Sequence, residues 1–313
     1  MDRRTFIEKS FVGAATLSGM TAYQTQTSRA DQITASPVTA QQILDHLRGM
    51  GKKWIPMDSK HTVDTLKAGK LSTKVTKIAT AWMGYLDTLK QAHEAGYNVI
   101  VVHEPLYYNH RDTQPTGFAL EVAQKKQKFL DESGLTVIRC HDVWDCVAKI
   151  GICDSWAKFL GFKKEINRPR NLDLTARRPY HVAYEIEPTR AGDLAAKVAA
   201  KLAVHDQDGV WFVGPQDKIV RSVAVGTGAV TRFNDMVTQL KVDLTVCSDD
   251  GFTFWRDGAL AIDADYPVII APHSSTEEVG MQSMAKHLAR VFPQVPVKHL
   301  PEKSMYRRIV PAK

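Results

Sequence analysis

At 313 residues, 44% hydrophobic and 24% charged, the chain has the composition of a folded globular protein; that excludes wholesale disorder and leaves room for one large or two modest domains. The formal charge of +7 is scattered: the short basic clusters at Lys125–Lys126, Arg177–Arg178 and Arg307–Arg308 have no interleaved aromatics, so no nucleic-acid partner is expected.

Residues 1–30 read as a targeting segment rather than as fold. Arg3 and Arg4 precede Phe6 and a short, weakly apolar run, FVGAATLSGM, and Ser28-Arg29-Ala30 places small residues where a signal peptidase cuts. This is the pattern of a twin-arginine signal peptide, and it predicts a protein exported already folded to the periplasm or the extracellular side. The apolar run is too short to span a bilayer, so no membrane association is expected after export. Residues 31–38 read as a linker. The four cysteines (Cys140, Cys146, Cys153, Cys247) form no CxxC pair, which argues against a structural zinc site and for small buried apolar side chains.

From residue 39 the pattern alternates. VTAQQILDHLRGM predicts a helix opening at Thr39, and VTKIATAWM a strand near 75–83. LDTLKQAHEAG is helical and stops at Gly96; NVIVVHEP is a buried strand; FALEVAQKKQKFLDESG is an amphipathic helix ending at Gly134. LTVIRCHD is the next strand, and VWDCVAKIGICDSWAKFLGF reads as one helix ending at Gly161. After a short strand-rich central segment (165–220), the order helix, strand, helix, strand, helix returns, closing on YPVIIAPHSSTEEVGMQSMAKHLARVF. The expected fold class is α/β: a first half over 39–164 and a second over 221–313, each with parallel strands and right-handed crossovers. Ligand sites in such sheets lie at the carboxyl ends of the strands.

Three of those strand ends carry metal-grade side chains. VVHEPLYYNHRD places His103 and Glu104 at a strand end, with Pro105 enforcing the turn and His110 nearby. CHDVWD follows a strand with His141, Asp142 and Asp145. APHSSTEEVG ends a strand at His273 with Glu277 four residues on, while Ser275 and Glu278 have the spacing of a capping box that would start the next helix. Each cluster alone is as readily a capped helix or a surface acid. Together they offer more imidazole and carboxylate groups than one tetrahedral ion needs, which points to two divalent ions sharing a ligand. Gly226-x-Gly228 lacks the third glycine of a dinucleotide fingerprint.

These pieces resemble the NIF3-like (DUF34) family of dinuclear-metal proteins, over about residues 40–300, through VDTLKAG, the stretch from Trp82 to Asp112, CHDVWD with GICDSWAKFLG, VAVGTGAV and PHSSTEEVGMQSMAKHL. The resemblance implies two α/β halves with the metals between them, and a homo-oligomer, often a hexamer. Carried over residue by residue, the ligands are His103, Asp145, His273 and Glu277, with His141 leading the second motif and Asp249 or Asp250 matching an acidic position loosely. Where the family has a second histidine beside the first, this chain has Glu104; either that carboxylate binds directly, hardening the site toward Mn, Fe or Mg, or His110 supplies the nitrogen, and the two ions can be Zn, Mn, Fe or Mg. The expected function is a divalent-metal-dependent hydrolase using a metal-bound hydroxide on an unidentified substrate, nucleotides and phosphoesters being the candidate classes, with Asp145 and Glu277 as orienting ligands. Arg111 and Lys303 are candidate anion binders, and Glu278 and Asp142 read as a cap and a surface acid. The alternative is a metal-binding or metal-handling oligomer without turnover.

Overall fold

The buried apolar runs between the helices become the inner strands of two sheets in the computed structural model. It describes residues 37–58, 60–168, 181–229, 232–303, 305, 306, 309 and 311. The export signal over 1–30, and all but the end of the linker, lie outside these residues.

The first half runs α1 (Ala40–Gly51), β1 (Leu66–Ala68), β2 (Ile78–Ala81), α2 (Leu86–Glu94), β3 (Val99–Val102), α3 (Phe118–Ser133), β4 (Thr136–Arg139), α4 (Asp142–Cys146) and α5 (Ile152–Leu160). Then come β5 (Lys164–Asn167), β6 (Val182–Arg190), α6 (Ala191–Leu202), β7 (Trp211–Val213), β8 (Ile219–Val225), α7 (Phe233–Leu240) and β9 (Leu244–Ser248). The chain closes with α8 (Phe254–Asp263), β10 (Val268–Ala271), α9 (His273–Val291) and β11 (Val297–His299).

One sheet has the order β1-β4-β3-β2-β11 and the other β5-β6-β8-β9-β10-β7. The α/β class is as expected, but neither sheet is purely parallel. β1 lies antiparallel on an edge of the first sheet, and β5, β6 and β7 are antiparallel members of the second. Around the 165–220 stretch β5 pairs with β6, β6 with β8 and β7 with β10, so these strands extend the second sheet. After α9 the chain returns to the first sheet, where β11 pairs parallel with β2.

Strands β2, β3 and β4 are buried along their whole length, because both faces of the sheet are covered. One face packs Ile78, Val99 and Ile138 against Ile43, Trp144 and Met284 of the helices. The other packs Ile100 and Val102 against Leu89 and Leu130. In the second sheet Val223, Val246 and Ile269 meet Trp156 and Leu194, and on the reverse face Cys247 and Val268 meet Phe233 and Met236. Helices α5 and α9 belong to both halves: Ile152 and Met281 join the first core, Trp156 and Val279 the second. They cross at Gly280, where a Cβ would stand 2.5 Å from Ile152 Cδ1 and 2.9 Å from its Cα. All four cysteines are free and buried, as small apolar residues are expected to be.

Two local expectations fail. The helix read through 143–161 is broken into α4 and α5: Val147 turns extended, Lys149 takes a φ of 71°, and Gly151 packs so tightly that a Cβ would fall 2.3 Å from the Trp144 and Val147 carbonyl oxygens. The capping box is absent. α9 starts at His273, straight after Pro272, so Ser275 and Glu278 already lie inside the helix. Its first turn is tied down instead by Asp249, whose Oδ1 accepts from the His273 backbone N–H at 2.8 Å.

Candidate metal centre

The carboxyl ends of β3 and β4 meet those of β8, β9 and β10, and the three histidine-bearing loops converge there. Three overlapping groups have donor atoms within 4.8 Å of one another: His103, Glu104 and His141; His103, Asp145 and Glu277; and Glu104, His273 and Glu277. His103 Nε2 stands 3.3 Å from Glu277 Oε2 and 3.4 Å from Asp145 Oδ1. His273 Nε2 stands 3.0 Å from Glu277 Oε2 and 3.3 Å from Glu104 Oε1. Two ligands each about 2.1 Å from one tetrahedral ion lie about 3.4 Å apart, so these spacings suit a shared cation.

Burial makes the same point. His103 is fully buried, and Glu104, Asp145 and Glu277 nearly so. His103 Nε2, Asp145 Oδ1 and His273 Nε2 are buried with no hydrogen-bond partner. Buried polar atoms left without partners cost about 1–3 kcal/mol each, and three facing one centre fit a divalent cation as the missing partner.

The supporting residues hold these atoms in place. His103 Nδ1 lies 3.3 Å from the Cys140 carbonyl; donation there leaves the Nε2 lone pair facing the carboxylates. Asp64 Oδ1 accepts from the backbone N–H of His141 and Asp142, and Oδ2 from that of Val143, which fixes the start of α4. Trp82 Nε1–H donates to Glu277 Oε2 at 2.8 Å. The φ of +62° at Gly228 brings its backbone against the centre: a Cβ there would sit 2.9 Å from both Glu277 Oε1 and His273 Nε2. That glycine lets the backbone pack against the Glu277 and His273 side chains.

His141 stacks on His103 with ring centroids 4.5 Å apart, and its Nδ1 faces Asp142 and Asp145 at 3.2 and 3.5 Å. His110 packs edge-on against His141 and belongs to none of the donor groups, whereas Glu104 belongs to two. Asp249 belongs to none either, its carboxylate being engaged with the start of α9; the adjacent Asp250 Oδ2 faces the outward Nδ1 of His273 at 3.4 Å. Asp142 is buried and accepts from the Val63 N–H, so it is not a surface acid. Glu278 accepts from His299 and from the Glu302 N–H, so it is not a cap. Lys303 pairs with Asp206 at 2.9 Å, and neither it nor Arg111 lines the cavity over the centre.

Burial lowers the basicity of His141, but Asp145, Asp142 and Glu104 outweigh it and raise its pKa to about 10. His103 is raised in the same contest, chiefly by Glu277 against burial. Burial pushes Asp145 up to about 6, while His273 and His141 bring Glu104 down to about 2 against burial. Raised basicity favours the protonated form of these imidazoles, and a cation competes with those protons. Cation binding is therefore expected to release protons and to weaken as the pH falls. Calorimetry of Mn²⁺ binding at pH 7 in buffers of different ionisation enthalpy checks this: the apparent enthalpy should vary with the buffer.

A cavity of about 390 Å³ lies over the centre, walled by Glu104, His110, Asp145, Gly228, His273 and Glu277 among others. A larger one, about 660 Å³, is lined by Trp211, Phe252, Phe254 and Trp255 and offers no imidazole. The imidazole and carboxylate donors line the smaller cavity.

A model of the family described as Duf34/NIF3 (NGG1p interacting factor 3) matches residues 41–304. The chain is 25% identical over 252 residues to a "GTP cyclohydrolase 1 type 2 homolog" of Chlamydia pneumoniae, covering 80% of this chain and 93% of that one. It is 24% identical over 237 residues to a protein of the same name from Clostridium perfringens, covering 71% and 87%. In fold it is similar to a hypothetical protein of Staphylococcus aureus (TM-score 0.69, 19% identity, 88% of this chain and 100% of the other). A Bacillus cereus protein related to NIF3 gives a TM-score of 0.66 at 16% identity, with 87% and 98% covered.

Proposed function

The chain belongs to the Duf34/NIF3 family, and on that premise we propose that it is a divalent-metal-dependent hydrolase of small nucleotide or phosphoester molecules. The observation that carries this reading is the set of orphaned buried donors, His103 Nε2, Asp145 Oδ1 and His273 Nε2, facing one another beneath an open cavity. One cation would be held by His103, Asp145 and Glu277 and a second by Glu104, His273 and Glu277, with Glu277 common to both. When bound, such a pair supplies Lewis acidity, lowering the pKa of water and polarising a leaving oxygen.

The protein's own contribution is positional. Trp82 fixes Glu277, Cys140 fixes His103, and Asp64 fixes the loop that carries His141 and Asp145. The cavity is near the lower end of the roughly 300–1,000 Å³ typical of small-molecule sites, so a compact substrate fits it better than a polymer. No activated serine or cysteine nucleophile competes with this reading among the described residues, and the cysteine thiols at Cys140, Cys153 and Cys247 are all pushed up by burial.

The test is a hydrolysis panel of phosphoesters and nucleotides, with GTP included because the curated relatives carry its name. Mn²⁺-loaded protein should turn over at least one class, and Asp145→Ala should abolish that turnover while the circular dichroism spectrum is retained. Tight cation binding with no turnover across the panel would leave a metal-holding protein instead. We further propose export by the twin-arginine route, on Arg3, Arg4 and the apolar run after them. Replacing both arginines by lysine should leave full-length precursor in the cytoplasm; unchanged export would refute the assignment.

A further inference from the structure

We propose that Arg139 is a positioning residue of the metal centre, acting through Glu104. The inference rests on the reading of the centre as a cation site. Three carboxylates converge there, Glu104, Asp145 and Glu277. Their negative charge is buried, and a buried carboxylate is costly unless a counter-charge or hydrogen bonds meet it. Asp145 and Glu277 each lie against His103. Glu104 is met differently: Oε1 faces the imidazoles of His273 and His141, at 3.3 and 3.8 Å, whereas Oε2 faces the Arg139 guanidinium, with NH2 at 3.7 Å.

Arg139 is the last residue of β4 and is fully buried. Its other donors are committed to the loop that carries Glu104. Nε–H donates to the His103 carbonyl at 2.9 Å, and NH1 donates to the His110 carbonyl and to Asp112 Oδ2. Asp112 in turn accepts from the Leu106 and Tyr107 N–H groups and pairs with Lys67 at 3.0 Å. The result is a buried row of alternating charge, Lys67, Asp112, Arg139, Glu104, running to the centre. NH2 is the member of the guanidinium left without a hydrogen bond, and it is the one aimed at Glu104.

This arrangement has a geometric consequence. A guanidinium is a planar, permanently charged fork, so Nε and NH1 fix where NH2 points. With Oε2 drawn to that side by the guanidinium's charge, the Glu104 carboxylate presents Oε1 to the centre. Arg139 thereby lets a carboxylate work as a one-oxygen ligand in a pocket already rich in negative charge. A neutral residue at 139 would leave Glu104 free to rotate and its second oxygen uncompensated.

A double-mutant cycle tests this with Mn²⁺ as the probe, read as dissociation constant by calorimetry and as stoichiometry by elemental analysis. Arg139→Met should weaken Mn²⁺ binding by about 10–100-fold, the usual cost of losing a residue that orients a ligand, and Arg139→Lys should recover part of the loss. In a Glu104→Gln background the same Arg139→Met change should cost less than about threefold, because the partner it acts on is gone. Equal losses in both backgrounds, or no loss in either, would overturn the proposal. If Arg139→Met does not fold, Arg139→Lys with Glu104→Gln completes the same cycle under the same criteria. Wild-type protein that binds no Mn²⁺, Zn²⁺ or Fe²⁺ would sink the cation reading itself; wild-type binding matched by Arg139→Met would sink only the role of Arg139.

Discussion

Glu277→Gln is expected to abolish stable loading of both cation positions, with Mn²⁺ affinity falling by more than about 100-fold, beyond the loss seen when only an orienting partner is removed. Glu277 stands in two of the three donor groups, and its Oε2 lies within 3.3 Å of both His103 Nε2 and His273 Nε2. An amide has the same shape but no negative charge. The Trp82 hydrogen bond can be kept by the amide oxygen, so the fold should survive and the loss should be one of metal, not of structure. Elemental analysis after dialysis, with a circular dichroism spectrum as control, makes the measurement. Retention of wild-type stoichiometry would show that Glu277 is not shared.

The second large effect comes from a residue without a side chain. Gly228→Ala should lower metal affinity by at least about tenfold, the change that 1.4 kcal/mol represents, and should also lower stability by about 1–2 kcal/mol, because its φ of +62° is unfavourable for any residue with a Cβ. The Cβ would land 2.9 Å from Glu277 Oε1 and His273 Nε2, closer than ordinary van der Waals contact, so those side chains or the loop must shift. Thermal melting of the metal-free protein and calorimetry of the metal-loaded one separate the two effects. An unchanged affinity with lowered stability would mean that the loop yields.

What the sequence revealed follows from what each feature needs. The inner strands were legible because burial on both faces demands unbroken apolar runs, as in Val99–Val102. The histidines that the structure brings together were legible with them, since His103, His141 and His273 each sit where such a run ends. The edge strands β1, β5 and β11 were not legible. They are three or four residues long, and LKA, KEIN and VKH have no sustained apolar pattern, because only their backbone bonds to a neighbouring strand define them. For the same reason the return of the chain to the first sheet through β11 is a tertiary fact with no local signal.

The supporting shell was the harder part to see. Trp82, Arg139 and Asp64 act across 195, 35 and 77 residues of sequence or through loops that only the fold brings near. An arginine at the end of an apolar strand, as Arg139 is in TVIR, was the one available hint: burying it there demands a partner. The capping-box pattern at Ser275 misled because the same spacing also occurs inside a helix that opens directly on Pro272.

Anomalous diffraction from crystals of the Mn²⁺-loaded protein tests the centre most directly. Two peaks about 3.5–4 Å apart are expected, one beside His103 and Asp145 and the other beside Glu104 and His273, with Glu277 touching both. No peak at all, or a single peak out of reach of His103, would contradict the dinuclear centre.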